Sequence, residues 1–338
     1  MRLRHVSRAA AVLAVAALAG TTTVAAVAQG DHPTRHERAG HDGDHRSRSL
    51  KSYVLPGAAL FPEGLGYDSE TGNFYTGSVT DGTIVRGNVQ DPQAQVFSPA
   101  GADGRTSALG MRTDHSRLYV AGGSTGTVWI YDKSSATFLG KVANGLPSTG
   151  TTLNDLAVTR AGVFVTDSLA PALWRLTLGP DGKPSLEKWL DFTGTVFHYT
   201  TGFNADGIQA TPDGRYLIVG ALNTGKLYRI TIATKTVVEI NTGGADLTNA
   251  DGIELAGHDL YVARNSNNLI VTLEMADDWA SAEVDTITTS PRFDFAVAVA
   301  AVGSRLLVLN SQFEHLGFGG GTPSPPTLPF TIASITRP

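Results

Sequence analysis

The sequence contains no cysteine at all. That excludes a disulfide framework and leaves packing, or a bound ion, to stabilise the chain. A basic excess is also missing: 26 lysines and arginines stand against 31 acidic residues, a formal charge of -5. Nothing in that balance would neutralise a phosphate backbone, so nucleic acid is not expected as a partner. Long apolar runs are absent too, since no stretch reaches the ~18 residues that a membrane-spanning helix needs. What is plentiful is apolar material, 41% of 338 residues, together with 38 glycines. This composition excludes both wholesale disorder and a collagen-like fibre.

The N-terminus reads as a leader. Arg2, Arg4 and Arg8 precede an apolar run from Ala9 to Ala19, and Ala26, Val27 and Ala28 form a small-residue cleavage site. Residues 1–28 are therefore expected to be a secretory signal and the mature protein to be secreted, with no membrane association once the signal is removed. Without the three signal arginines the balance is 23 basic against 31 acidic residues, or -8, which suits a bound cation. Residues 29–50 carry His32, His36, His41 and His45 with almost no apolar partner. Such a segment cannot offset its ordering entropy and is expected to be a disordered linker.

From Lys51 onward the pattern becomes one of short β-branched, aromatic and aliphatic runs separated by turns of Gly, Asp, Asn, Ser and Thr. These are strands. FYTGSV (74–79), RLYVAGG (117–123), GVFVTDS (162–168), YLIVGA (216–221), DLYVAR (259–264) and RLLVLN (305–310) are versions of one strand, each entered by a compact turn. A small-residue strand precedes each turn. With Gly64, Gly110, Asp155, Gly207, Gly252 and Ala296 as equivalent anchors, the intervals are 46, 45, 52, 45 and 44. Repetition at that period is the signature of propeller blades. The expected fold is all-β, a six-bladed β-propeller of four-stranded blades over residues 51–338. The last blade lacks an outermost strand, and SYVLP (52–56) is expected to supply it, removing an exposed sheet edge.

Small residues belong where six inner strands converge on a narrow axis; acidic and amide side chains do not. Yet Glu63 precedes Gly64, Asn154 precedes Asp155, Asp206 precedes Gly207 and Asp251 precedes Gly252. Four repeats thus aim an oxygen at one level of the channel. Three carboxylates so close would repel unless a cation or shared protons intervened, and a hard divalent cation is the simplest resolution.

The segments FPEGLGYDSETGNFYTG, LNDLAV, FNADGIQATPDGRYLIVG and NADGIELAGHDLYVARN resemble the senescence-marker protein/gluconolactonase/luciferin-regenerating-enzyme family of six-bladed propellers. That resemblance implies a divalent metal held by Glu63, Asn154, Asp206 and Asp251, expected to be Ca²⁺, with Zn²⁺ or Mn²⁺ as alternatives. Asp206 stands where the family has Asn. The extra charge favours a hard ion, unless Asn204, on the same strand face, reaches the ion instead; Asn249 bears the same relation to Asp251. The resemblance further implies hydrolysis of a lactone or ester, a small-molecule substrate, with the ion polarising the carbonyl and Asp251 supporting attack by water. The alternative is an extracellular binding or scaffold propeller with a purely structural ion.

Loops on the upper face, where the small-residue inner strands start, add further candidates. His198 and His315 could act as acid, base or substrate contact, with Glu314 beside the latter. Phe197, Tyr199 and Phe318 are expected as an apolar wall, and Arg264 and Asn265 as rim contacts. His115 and His258 fall in turns on the opposite face. Gly122 to Gly126 matches G-x-S-x-G but lies between two strands, where a nucleophile elbow cannot form.

Overall fold

The computed structural model describes residues 51–338; the segments expected to be a secretory signal and a histidine-rich linker lie outside them. Six antiparallel sheets of four strands each make up the described residues. The inner strands are Pro62–Asp68, Met111–Thr113, Leu153–Thr159, Ala205–Ala210, Ala250–Ala256 and Ala296–Val302, and each pairs with the strand that follows it. No helix among the described residues is long and apolar enough to cross a membrane.

Turn chemistry sets the repeat. In Thr211–Arg215, Asp213 accepts hydrogen bonds from the Arg215 N–H at 3.0 Å and the Thr211 hydroxyl at 2.6 Å. Gly214 supplies the left-handed residue at φ 69°. A short polar side chain thus replaces the sheet ladder where the chain reverses. Asp132 does the same work for Ser134 and Ser135 between the outer two strands of the second blade.

There is no single central core. Six apolar clusters lie between neighbouring blades, one at each junction around the ring. Between the third and fourth blades, Phe164 meets Trp189 edge-on at 4.8 Å and Phe197 stacks on Tyr228 at 4.1 Å. The 52-residue interval has its explanation here, because the segment 192–204 folds Phe192, Phe197 and Tyr199 back into this junction. Truncating one such buried ring to Ala typically costs about 3–5 kcal/mol.

The ring closes on itself. Ser52–Val54 pairs antiparallel with Thr331–Thr336 as the fourth strand of the sixth sheet. Tyr53 packs on Phe74 of the first blade at 5.1 Å, so this strand also bridges the junction between last and first blades. One anchor needs correcting: the residue of the sixth blade that faces Gly252 is Ala298, not Ala296.

Candidate metal centre on the propeller axis

A register shift recurs at the upper end of five inner strands, between Pro62 and Leu65, Leu153 and Leu156, Ala205 and Ile208, Ala250 and Ile253, and Ala296 and Ala298. Each shift is a bulge of one extra residue, which re-aims a side chain that would otherwise point into the sheet packing. The bulged residues include Glu63, Asn154, Asp206, Asp251 and Val297. Two residues upstream, Phe61, Asn249 and Phe295 hold positive φ of 40°, 65° and 54°. That conformation is costly for phenylalanine and clusters at functional sites.

Behind the bulges the strands nearly touch. A Cβ on Gly64 would stand 2.5 Å from the Leu109 carbonyl oxygen, and one on Gly207 would stand 2.6 Å from that of Asp251. Glycine is required at both places because backbone fills the space.

Oxygen atoms of Glu63, Asp206 and Asp251 all lie within 4.8 Å of one another. Asn154 Nδ2 donates to Asp206 Oδ2 at 2.9 Å and to Ser168 Oγ at 3.1 Å. Its Oδ1 and the Glu63 Oε2 are buried with no hydrogen-bond partner. Unmatched buried oxygens are expensive, and here they face the same small space of about 10 Å³, room for one water or one ion. The four residues are nearly closed off, with exposures of 8%, 6%, 2% and 5% in chain order. An all-oxygen donor set with three carboxylates, two of its atoms unmatched, fits a hard divalent cation.

The electrostatics agree. Burial, followed by the charges of Asp251 and Asp155, holds Glu63 well above the usual carboxylate range. Burial and then Asp251 and Glu63 do the same to Asp206. Asp251 is pushed up to about 7, mainly by burial, with the hydrogen bond from Asn265 opposing the shift. Without a cation these groups hold protons that a cation would displace.

Asn204 and Asn249 are engaged away from the axial space. Asn204 Nδ2 donates to the Thr200 and Gly202 carbonyls, and its Oδ1 accepts from the Thr200 N–H, so it ties its own loop. Asn249 donates to Ser266 and Asn267. Asp206 is the residue that lines the axial space. His198 is exposed on the segment before the fourth blade, and His315 Nδ1 lies 2.7 Å from Ser324 Oγ within its own loop; neither lines that space.

The expected apolar wall is corrected, since Phe197 is buried in the junction and the Tyr199 hydroxyl donates to the Asp167 carbonyl at 2.7 Å. Only Phe318 of the three is exposed. Arg264 is no rim contact; it is buried on Asp246 Oδ2 and the Thr248 carbonyl, each at 2.8 Å. Asn265 turns inward and donates to Asp251 Oδ2 at 2.8 Å.

Sequence reasoning missed a second layer below the first. Arg112 Nη2 meets Asp155 Oδ2 at 3.0 Å and Arg112 Nη1 donates to the Leu65 carbonyl at 3.2 Å. Gln209 Nε2 donates to Glu254 Oε2 at 2.9 Å. Arg112, Gln209 and Glu254 each stand two residues after an anchor glycine, so strand alternation was the signal that places them on the axis.

No family model matches the chain, and no curated protein matches it. Solved structures do. The Malassezia sympodialis allergen Mala s 1 is 17% identical, with 84% of this chain and 96% of that one covered and a TM-score of 0.61. Luciferin-regenerating enzyme is 14% identical, covering 83% and 92%, at 0.60. Regucalcin from Agrobacterium tumefaciens, described as a calcium-binding protein, is 14% identical, covering 86% and 96%, at 0.58. The likeness is one of fold, a six-bladed propeller.

Proposed function

We propose that the protein is a secreted, divalent-cation-dependent hydrolase of the lactonase or esterase type, acting on a small molecule and not on nucleic acid or membrane. The observation that carries this reading is the convergence of three carboxylates within 4.8 Å beside the unmatched oxygens of Glu63 and Asn154. Glu63, Asn154, Asp206 and Asp251 would hold the cation, with Ca²⁺ favoured by the oxygen-only set. The bound ion supplies Lewis acidity toward a substrate carbonyl. The fold likeness to luciferin-regenerating enzyme and regucalcin supports an enzyme of this kind, and the leader read in residues 1–28 supports export.

The chain's own residues do the rest. Asn265 fixes the Asp251 carboxylate by donating to Oδ2, and that carboxylate would take a proton from the attacking water. The new C–O bond forms as the ring or ester C–O bond breaks, and Asp251 returns the proton to the departing alkoxide. Ser168 supports Asn154 from behind and also donates to the Ala205 carbonyl at 2.8 Å, tying the third and fourth inner strands together.

A second reading has one observation in its favour. The axial space is large enough for an ion and little else, as a purely structural plug in a binding or scaffold propeller would need. Calcium titration together with hydrolysis assays on lactones and aryl esters separates the two. Turnover that requires the ion and is lost in Asp251→Ala supports the hydrolase; tight ion binding with no turnover supports the scaffold.

A further inference from the structure

The loops of the upper face, where the inner strands start, contain no lysine and only two arginines, Arg105 and Arg292. Both are engaged. Arg105 is buried and donates to Ser98 Oγ at 2.9 Å, and Arg292 Nη1 donates to the Lys51 carbonyl at 3.1 Å. At the nearby strand ends Lys141 Nζ donates to the Asp103 carbonyl and Lys226 pairs with Glu239, both at 2.8 Å. A substrate phosphate or carboxylate would find no uncommitted cation there, and it would approach three axial carboxylates. The same loops carry five exposed large apolar side chains, Leu146, Val196, Phe203, Phe318 and Leu328.

One line of apolar residues runs from the axis outward. Val297, the bulged residue of the sixth blade, lines the axial space. Phe295, two residues earlier, lies 5.8 Å from Phe313, and Phe313 lies 5.5 Å from Phe318, which is 46% exposed. The loop that carries them is anchored by paired bonds between Gln312 and Thr327. It also meets the segment that holds Asp251: a Cβ on Gly319 would stand 3.1 Å from Ser266 Cβ, and Ser266 is next to Asn265, the donor to Asp251.

From this we propose that the ligand of the site is an uncharged lactone or ester with an apolar substituent, and that Phe313 and Phe318 receive that substituent beside Asp251. The proposal rests on the hydrolase reading and narrows it. The sixth blade contributes no side-chain oxygen at the axial level, where Val297 stands; it contributes an apolar path.

The test uses calcium-loaded protein and γ-lactones with alkyl substituents from methyl to octyl. The expected result is a rise in kcat/KM of about 10- to 100-fold over the series, because each buried methylene favours binding severalfold at most. A polyhydroxylated lactone and a phosphate-bearing ester should be at least tenfold poorer than the methyl compound. Phe318→Ser, at an exposed position, should flatten the dependence on chain length, and Phe318→Leu should restore it. A flat series, or a preference for the anionic or polyhydroxylated compounds, overturns the proposal while leaving the hydrolase reading intact. Calorimetry with non-hydrolysable alkyl lactams forms the second arm. Chain-length-dependent lactam binding without hydrolysis of any lactone would sink the hydrolase reading and keep the ligand class; no binding and no hydrolysis sinks both.

Discussion

The two faces of the ring are built from the same repeat yet differ in chemistry. The turns of the lower face carry Lys133, Arg160, Lys183, Arg215 and Lys235, and none of the exposed large apolar residues. Their polar groups hold the blades together: Lys133, nearly buried, meets Asp68 at 3.0 Å and Glu70 at 2.9 Å across the junction between first and second blades. The upper face has few charges in its loops and concentrates unmatched oxygens on the axis. The lower face satisfies its polar groups within the fold, whereas the upper face leaves oxygens of Glu63 and Asn154 unmatched around the axial space. Polar groups that satisfy one another carry stability; polar groups left facing a cavity mark function.

The strongest way to break this comparison is Asp251→Ala. Turnover of a preferred lactone should fall about 10³-fold or more, with Ca²⁺ affinity lowered in calorimetry, whereas Asp213→Ala in a lower turn should leave both within about twofold. Equal losses would erase the distinction between the faces. Lys133→Met should act in the opposite sense, costing roughly 3 kcal/mol in denaturant unfolding because Asp68 is left buried without its partner, while Ca²⁺ affinity stays unchanged.

A third test reads the axial carboxylates through pH. Their folded-state affinity for protons is raised, so in chelator-treated protein they contribute stability at low pH that is lost as pH rises; for Asp251 the window runs from its ordinary 3.8 to about 7. The melting temperature gained on adding Ca²⁺ should therefore grow between pH 5 and 8, by roughly 5 °C or more. A gain that shrinks over that range would contradict the assignment. The smallest effect is expected for Asn265→Ala, which should weaken Ca²⁺ binding about 10- to 100-fold through the freed Asp251 carboxylate, with the unfolding midpoint of the metal-free protein little changed.

The propeller was legible because its punctuation is local. Turns such as Thr211–Arg215 write their own geometry, and a near-constant interval between them admits few architectures. The register failed only in the sixth blade, where the run Ala296–Val302 has no acidic marker and Val297 takes the position that Glu63, Asn154, Asp206 and Asp251 occupy elsewhere. The convergence of Glu63, Asp206 and Asp251 was legible for the related reason that a polar residue before a small one, repeated at blade spacing, has no role in packing. The paths of long loops were not legible. Phe197 and Tyr199 turn into a junction and Asn265 turns onto Asp251 because of tertiary contacts that no period encodes. Arg112 and Glu254 were overlooked although alternation pointed to them, since each is a single charge in an otherwise unremarked strand.

The bulge at Val297 shows that the backbone device does not depend on the side chain it presents. It is drawn with an aliphatic residue as readily as with a carboxylate. The ring therefore behaves as a socket whose contacts can be respecified one at a time: an aspartate at 297 would add a donor from a fifth direction without asking the chain to take a new path. Were an ion bound there, its selectivity would turn on the side chains at a handful of positions.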